Sequence, residues 1–282
     1  MKRLLAVAAL LLLPVAPAAA EAPLFDDHVH LHDGAASLAA YRADLARAGV
    51  SLTRIGAMWF GGPNQALAGD PASIRRGNDS ILALAANNPD LLPIATVHPY
   101  DGDAALAELD RVAARGVRVL KIHPHTQEFD PADPRVKTLV TRAGALGLVV
   151  LMDNANILPG DSEKLFNLAL ACPKTRFIFA HMGGMNFRFW NILMPAKRAK
   201  GLFADNIYFD ISATVMIVAG SPIRDEFVWT MRNVGIDHIL LGSDYPQYTL
   251  PQTLAAFETL GLTEAEKAQI RYGTAKALLG FE

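Results

Sequence analysis

Eight short apolar runs alternate with longer amphipathic stretches along the chain, and this order constrains the fold more than any single motif does. The runs cover residues 24–30, 52–58, 91–97, 117–123, 148–153, 175–181, 207–212 and 238–244. Each is rich in Val, Ile, Leu or Phe, as a parallel strand buried on both faces requires. Helical patterns lie between them at 38–48, 73–87, 104–115, 134–146, 161–171, 186–200 and 222–234, and two more follow at 251–260 and 264–279. Gly49, Gly116, Gly147, Gly201 and Gly235 mark the boundaries where helical patterns stop. Strict alternation implies a parallel sheet, and eight units is the number that closes one into a barrel. The expected fold is therefore an α/β, single-domain (β/α)8 TIM barrel over residues 21–282. An open doubly wound sheet would carry a glycine-rich phosphate loop after its first strand, whereas this strand ends in His28-Val29-His30-Leu31-His32.

The first twenty residues have a different character. Lys2 and Arg3 precede an apolar run over residues 4–15, and Ala18, Ala19 and Ala20 supply the small side chains a signal peptidase accepts. That run is short of the roughly 20 residues a membrane-spanning helix needs. Residues 1–20 are thus expected to be a cleavable signal peptide, giving a periplasmic or secreted protein with no stable membrane span. The formal charge of −2 becomes −4 once Lys2 and Arg3 are removed, and the remaining Lys and Arg are scattered. Nucleic acid, which needs clustered positive charge, is excluded as a partner. Cys172 is the lone cysteine, so no internal disulfide can form even in an oxidising compartment. The partner expected is a small-molecule substrate, with a homo-oligomer left open.

In a barrel of this kind, chemistry sits at the C-terminal ends of the strands, and polar residues collect there. The first strand ends in Asp26-Asp27-His28-Val29-His30, the fourth in Lys121-Ile122-His123-Pro124-His125 and the fifth in Asp153-Asn154. The sixth ends in His181-Met182-Gly183-Gly184 and the eighth in Gly242-Ser243-Asp244-Tyr245-Pro246. Side chains alternate along a strand, so His28 and His30 share one face and present two imidazoles inward. The same parity groups Lys121 with His123, Phe177 and Phe179 with His181, and Gly242 with Asp244. Neutral imidazoles plus a carboxylate, with one position open for water, are what a catalytic zinc ion takes.

These motifs, with the closing stretch Tyr272-Gly273-Thr274-Ala275-Lys276-Ala277-Leu278-Leu279-Gly280, resemble the amidohydrolase superfamily, in particular its amidohydrolase family 2 branch. That branch includes aromatic-acid decarboxylases and lactone hydrolases, and the likeness runs along the whole mature chain. The resemblance implies that His28 and His30 bind a divalent metal, most simply Zn2+. It also implies that Asp244 binds the metal or takes a proton from its water, and that His181 assists at the reacting group. One departure stands out: the family's histidine at the end of strand five is replaced by Asp153. A carboxylate there is either a substitute ligand or the mark of a lost metal site. A smaller departure is Thr274, where asparagine is usual.

Lys121, His123 and His125 are candidate substrate contacts, and Lys121 is equally a cation able to pair with Asp153. Trp59 after strand two, and Met185, Phe187, Phe189, Trp190 and Met194 after strand six, read either as rim packing or as an apolar pocket wall in which Trp59 and Trp190 touch substrate. The functional expectation is a metal-dependent hydrolase of an ester, lactone or amide. The alternatives are a metal-dependent, non-oxidative decarboxylase of a cyclic or aromatic acid, and a non-catalytic binding barrel with a degenerate metal site. N-terminal sequencing of the protein recovered from the exported fraction is expected to start near Glu21; a start at Met1 contradicts the leader assignment.

Overall fold

The computed structural model describes residues 22–281. The expected signal peptide, residues 1–20, lies outside them. Eight strands appear in the expected order: β1 Phe25–His30, β2 Arg54–Met58, β3 Leu91–Ala95, β4 Val119–Ile122, β5 Val149–Met152, β6 Arg176–Phe179, β7 Ile207–Asp210 and β8 Ile239–Leu240. Each pairs in parallel with the next, from β1 through to β8. The helices are α1 Ala35–Ala48, α2 Pro71–Ala86, α3 Asp103–Ala114, α4 Pro134–Ala145, α5 Asp161–Ala171, α6 Leu193–Arg198, α7 Thr214–Val218, α8 Arg224–Val234, α9 Leu250–Glu258, α10 Glu264–Ala268 and α11 Thr274–Leu279.

Local chemistry explains many of the helix ends. Asp70 and Asp133 cap α2 and α4 by accepting from the Ser73 and Arg135 amides, each followed by a proline in the first turn. Thr249 and Gln252 cap α9 reciprocally. Gly49 closes α1 in the left-handed region, at φ 65°, which a side chain would strain.

β8 is only two residues long because the chain beyond it turns to β1. The Asp27 amide donates to Leu241 O (3.1 Å), the Asp244 amide to His28 O (2.9 Å) and the His30 amide to Tyr245 O (2.8 Å). These bonds close the barrel. Asp26 fastens the same seam, accepting from the Ser243 amide (2.8 Å) and from the Tyr41 hydroxyl of α1 (2.8 Å).

Two apolar layers follow from the alternation of side chains. Inside the barrel, Phe25, Met58, Ile94, Val119, Leu151, Ile178 and Leu240 pack together, and Tyr272, Leu278 and Phe281 plug the bottom. Arg118 and Arg176 hold that plug by donating to carbonyls at the end of α11, groups a helix terminus leaves unpaired. Outside, the opposite strand faces meet the helices.

Several expectations are corrected. Phe177 and Phe179 belong to the outer layer, not to the inward face, because Ile178 is the β6 residue that fills the barrel. The stretch 186–200 is divided between the end of a 3-10 segment, Ala180–Ile192, and the short α6, Leu193–Arg198. The stretch 222–234 begins only at Arg224, and a separate α7 precedes it. The final stretch, 264–279, contains a π turn, Gln269–Gly273. Trp190 is fully buried, its ring 4.8 Å from Phe209 and 5.3 Å from Phe179, between sheet and helices. Its position makes it a packing residue and not a wall of the mouth. Trp190→Ala is expected to lower unfolding stability by about 3–5 kcal/mol in urea titration; a loss below about 1 kcal/mol contradicts this placement.

Candidate metal centre and its surroundings

At the C-terminal end of the barrel lies a cavity of about 650 Å³, ample for a small molecule. Its floor carries His28, His30, Lys121, His123, Asp153, His181 and Asp244. The register between β1 and β2 slips between Asp26 and Val29, a β-bulge that places Asp27 and His28 in succession. His28 Nε2 lies 3.5 Å from Asp244 Oδ1, and His30 Nε2 lies 3.4 Å from the same atom. His28, His30 and Asp244 form one of two clusters among the described residues with metal-ligand spacing.

Both imidazoles are oriented from behind. His28 Nδ1 faces Asp210 Oδ2 at 3.1 Å, and His30 Nδ1 faces the Phe60 carbonyl at 2.5 Å. A proton on each Nδ1 satisfies those acceptors, which leaves each Nε2 lone pair pointing at Asp244. The other cluster, His28, His181 and Asp210, reads differently. Asp210 already accepts from the His181 and Ser212 amides and from the Ser212 hydroxyl, so it is an orienting group. Asp210 was missed by the sequence reading, although it ends an apolar run as the other site residues do.

The charge states follow from burial and neighbours. Burial, reinforced by the Lys121 charge, lowers His28 to about 4, so it is neutral at pH 7. His123 is also lowered to about 4, chiefly by burial. Burial alone would raise Asp244, but the surrounding imidazoles outweigh it and hold the carboxyl well below the usual range. Burial, with Asp210 and Asp26 nearby, raises Asp27 well above the usual range, and its two oxygens have no hydrogen-bond partner among the described residues. The His28 and His30 Nε2 atoms beside the ionised Asp244 carboxylate are a donor set that fits a divalent cation. The buried Lys121 ammonium, however, sits 3.1 Å from His28 Nε2 and competes for its lone pair.

Asp153 is placed apart from this trio. Its Oδ1 lies 3.1 Å from His181 Nε2 and 3.5 Å from His123 Nε2. The geometry therefore does not bring it into the ligand cluster with His28, and Lys121 reaches His28 and not Asp153. His181 stacks on His28 with ring centroids 5.2 Å apart. It reaches the centre because its backbone is left-handed (φ 61°), as is that of Asp244 (φ 61°); such strain at non-glycine residues concentrates at functional sites. Burial would lower His181, yet the Asp153 carboxylate raises it to about 9.

Three expected substrate contacts are not in the cavity. Trp190 is in the outer core, and Trp59 packs over Gly77 with its indole N–H bonded to Asn78. His125 pairs with Asp161 at 2.9 Å and does not line the floor. Lys121 and His123 do line it, as does His32, which the sequence reading did not single out.

A family model described as Amidohydrolase matches residues 25–281, so the chain belongs to that family, whose members are enzymes. No curated protein matches the sequence significantly. Among solved structures, 5-carboxyvanillate decarboxylase from Sphingomonas paucimobilis is 17% identical with a TM-score of 0.68, covering 92% of this chain and 99% of that one. A dihydroxybenzoic acid decarboxylase from a Polaromonas species, solved with manganese and 2-nitroresorcinol, is 17% identical with a TM-score of 0.64, covering 92% and 96%. A Pseudomonas putida protein provisionally described as a 2-pyrone-4,6-dicarboxylic acid hydrolase is 19% identical with a TM-score of 0.64, covering 93% and 99%. At these identities the likeness establishes the fold.

The His181–Asp153 pair makes stability depend on pH. Because the folded value for His181, about 9, lies above the free value of 6.5, its contribution is complete below pH 6.5 and is lost as pH rises through 9. Metal-free protein is expected to lose on the order of 3 kcal/mol from this pair between pH 6 and pH 10. The Asp153→Asn variant should show a flatter profile in urea titrations at several pH values, and an unchanged profile contradicts the pairing.

Proposed function

We propose that this protein is an exported, metal-dependent hydrolase acting on an ester, lactone or amide carbonyl of a small molecule. His28, His30 and Asp244 would hold a divalent cation, with zinc the ion best matched to two imidazoles and a carboxylate. The observation that carries this reading is the convergence of His28 Nε2 and His30 Nε2 on Asp244 Oδ1, each ring fixed through its other nitrogen. Export rests on the leader pattern of residues 1–20.

A divalent cation bound there supplies Lewis-acid activation of a carbonyl and of water at neutral pH. The protein's own groups supply proton handling. Asp244 stays ionised and is the carboxylate that both imidazole Nε2 atoms face. His181, held as an imidazolium by Asp153, keeps Nδ1 on the Ser212 carbonyl, so the proton it can pass to a leaving group is the one on Nε2 that Asp153 shares. Lys121 adds a fixed cation on the floor, buried enough that its field is weakly screened.

Non-oxidative decarboxylation of a cyclic or aromatic acid is the second reading. The His181 imidazolium favours it, since loss of CO2 requires a proton delivered to the carbon left behind. The carboxyvanillate and dihydroxybenzoic acid decarboxylases among the structural neighbours point the same way.

Purified protein loaded with Zn2+ or Mn2+ is expected to retain about one equivalent by mass spectrometry and to hydrolyse members of a lactone and aryl-ester panel. Release of CO2 from hydroxybenzoic acids, without ester hydrolysis, selects the second reading. No bound ion and no turnover of either class overturns both and leaves a binding barrel. Lys121→Met is expected to raise metal affinity about tenfold or more, equivalent to about 1.4 kcal/mol, because the competing ammonium is gone. Calorimetric titration measures this, and weaker binding in that variant contradicts the competition.

A further inference from the structure

The cavity is divided by chemistry. Its floor is ionic, but the segments that rise from β5, β6 and β7 carry Ile157, Met185 and Ile217 to its mouth. These three are 70%, 52% and 51% exposed, and Ile157 is the most exposed large apolar side chain among the described residues. Apolar surface left in water is unfavourable in proportion to its area, so three such groups around one opening call for a compensating contact.

The exposure is held in place by the local structure. Asn156, next to Ile157, accepts from both the amide and the hydroxyl of Ser162 at the start of α5 (3.1 and 2.9 Å). Gly184, next to Met185, packs so closely on the β5 segment that a Cβ there would lie 2.3 Å from the Ala155 carbonyl. Thr214, which opens the helix bearing Ile217, donates to the His181 carbonyl at 2.6 Å. Each apolar group is thus tied to a neighbour of the site, and two of the ties reach the segments bearing Asp153 and His181.

We propose that this collar receives the apolar body of the substrate, an alkyl chain or ring attached to the carbonyl-bearing head. The substrate class is then amphipathic, with its polar end on the His28, His30, His181 and Asp244 floor and its apolar end between Ile157, Met185 and Ile217. The inference rests on the hydrolase-type reading of the floor, and the test separates the two.

The probes are straight-chain alkyl hydroxamic acids of two to twelve carbons, with carboxamides of matching length, titrated by calorimetry into Zn2+-loaded protein. Affinity for hydroxamates is expected to rise about two- to fourfold per methylene until the chain passes the collar, since each buried methylene contributes up to about 0.8 kcal/mol. In the Ile157→Ser/Ile217→Ser double variant this slope should flatten. Trp229→Ser, a change at another exposed apolar side chain outside the cavity, should leave the slope as it is. Affinity independent of chain length, or a slope that survives in the double variant, overturns the collar. Equal binding of hydroxamates and carboxamides, with the slope retained and the double variant flattened, leaves the collar standing and defeats the metal reading of the floor.

Discussion

The seam between β1 and the chain leaving β8 is the constraint on which the rest depends. Three backbone hydrogen bonds and the Asp26 carboxylate join segments more than two hundred residues apart. Without that closure Asp244 would have no fixed relation to His28 and His30. The same bonds that complete the barrel therefore assemble the donor set. Asp26 sits under it, buried and raised to about 6 by that burial, tying strand, seam and α1 together.

Above the seam, charges are stacked in a region where water is scarce, and each is balanced by a neighbour. Asp153 and His181 form one ion pair, and Asp210 accepts from His28 while Lys121 donates to its other face. Such an arrangement is costly to desolvate and unforgiving of removing a single partner. It also fixes ring orientation, which is what a cation or a reacting carbonyl requires of its surroundings. Asp27 is the exception: its carboxyl oxygens have no hydrogen-bond partner among the described residues, and its environment favours the neutral acid.

Backbone conformation carries as much of the design as side-chain identity. His181 and Met182 are both left-handed and are followed by Gly183 and Gly184, so the chain turns sharply after β6 and returns His181 to the centre. Ala213 plays a similar part after β7, opening the helix that brings Ile217 to the mouth. These turns break the alternation that strand periodicity would continue.

Much of the fold could be read directly in the chain. Eight apolar runs separated by capped amphipathic stretches leave one closed parallel arrangement, because period and order are local properties of the sequence. His28, His30, Lys121, His123, His181 and Asp244 could be placed at one mouth for the same reason: each ends a strand. Tertiary structure decided what strand ends alone could not. It paired Asp153 with His181 rather than with the trio, gave Lys121 to His28, brought in Asp210, and buried Trp190 behind the sheet. Those outcomes depend on left-handed turns, a bulge in β1 and contacts between segments far apart in sequence. Residue spacing along a single strand holds no record of them, because the forces that select them act across the barrel.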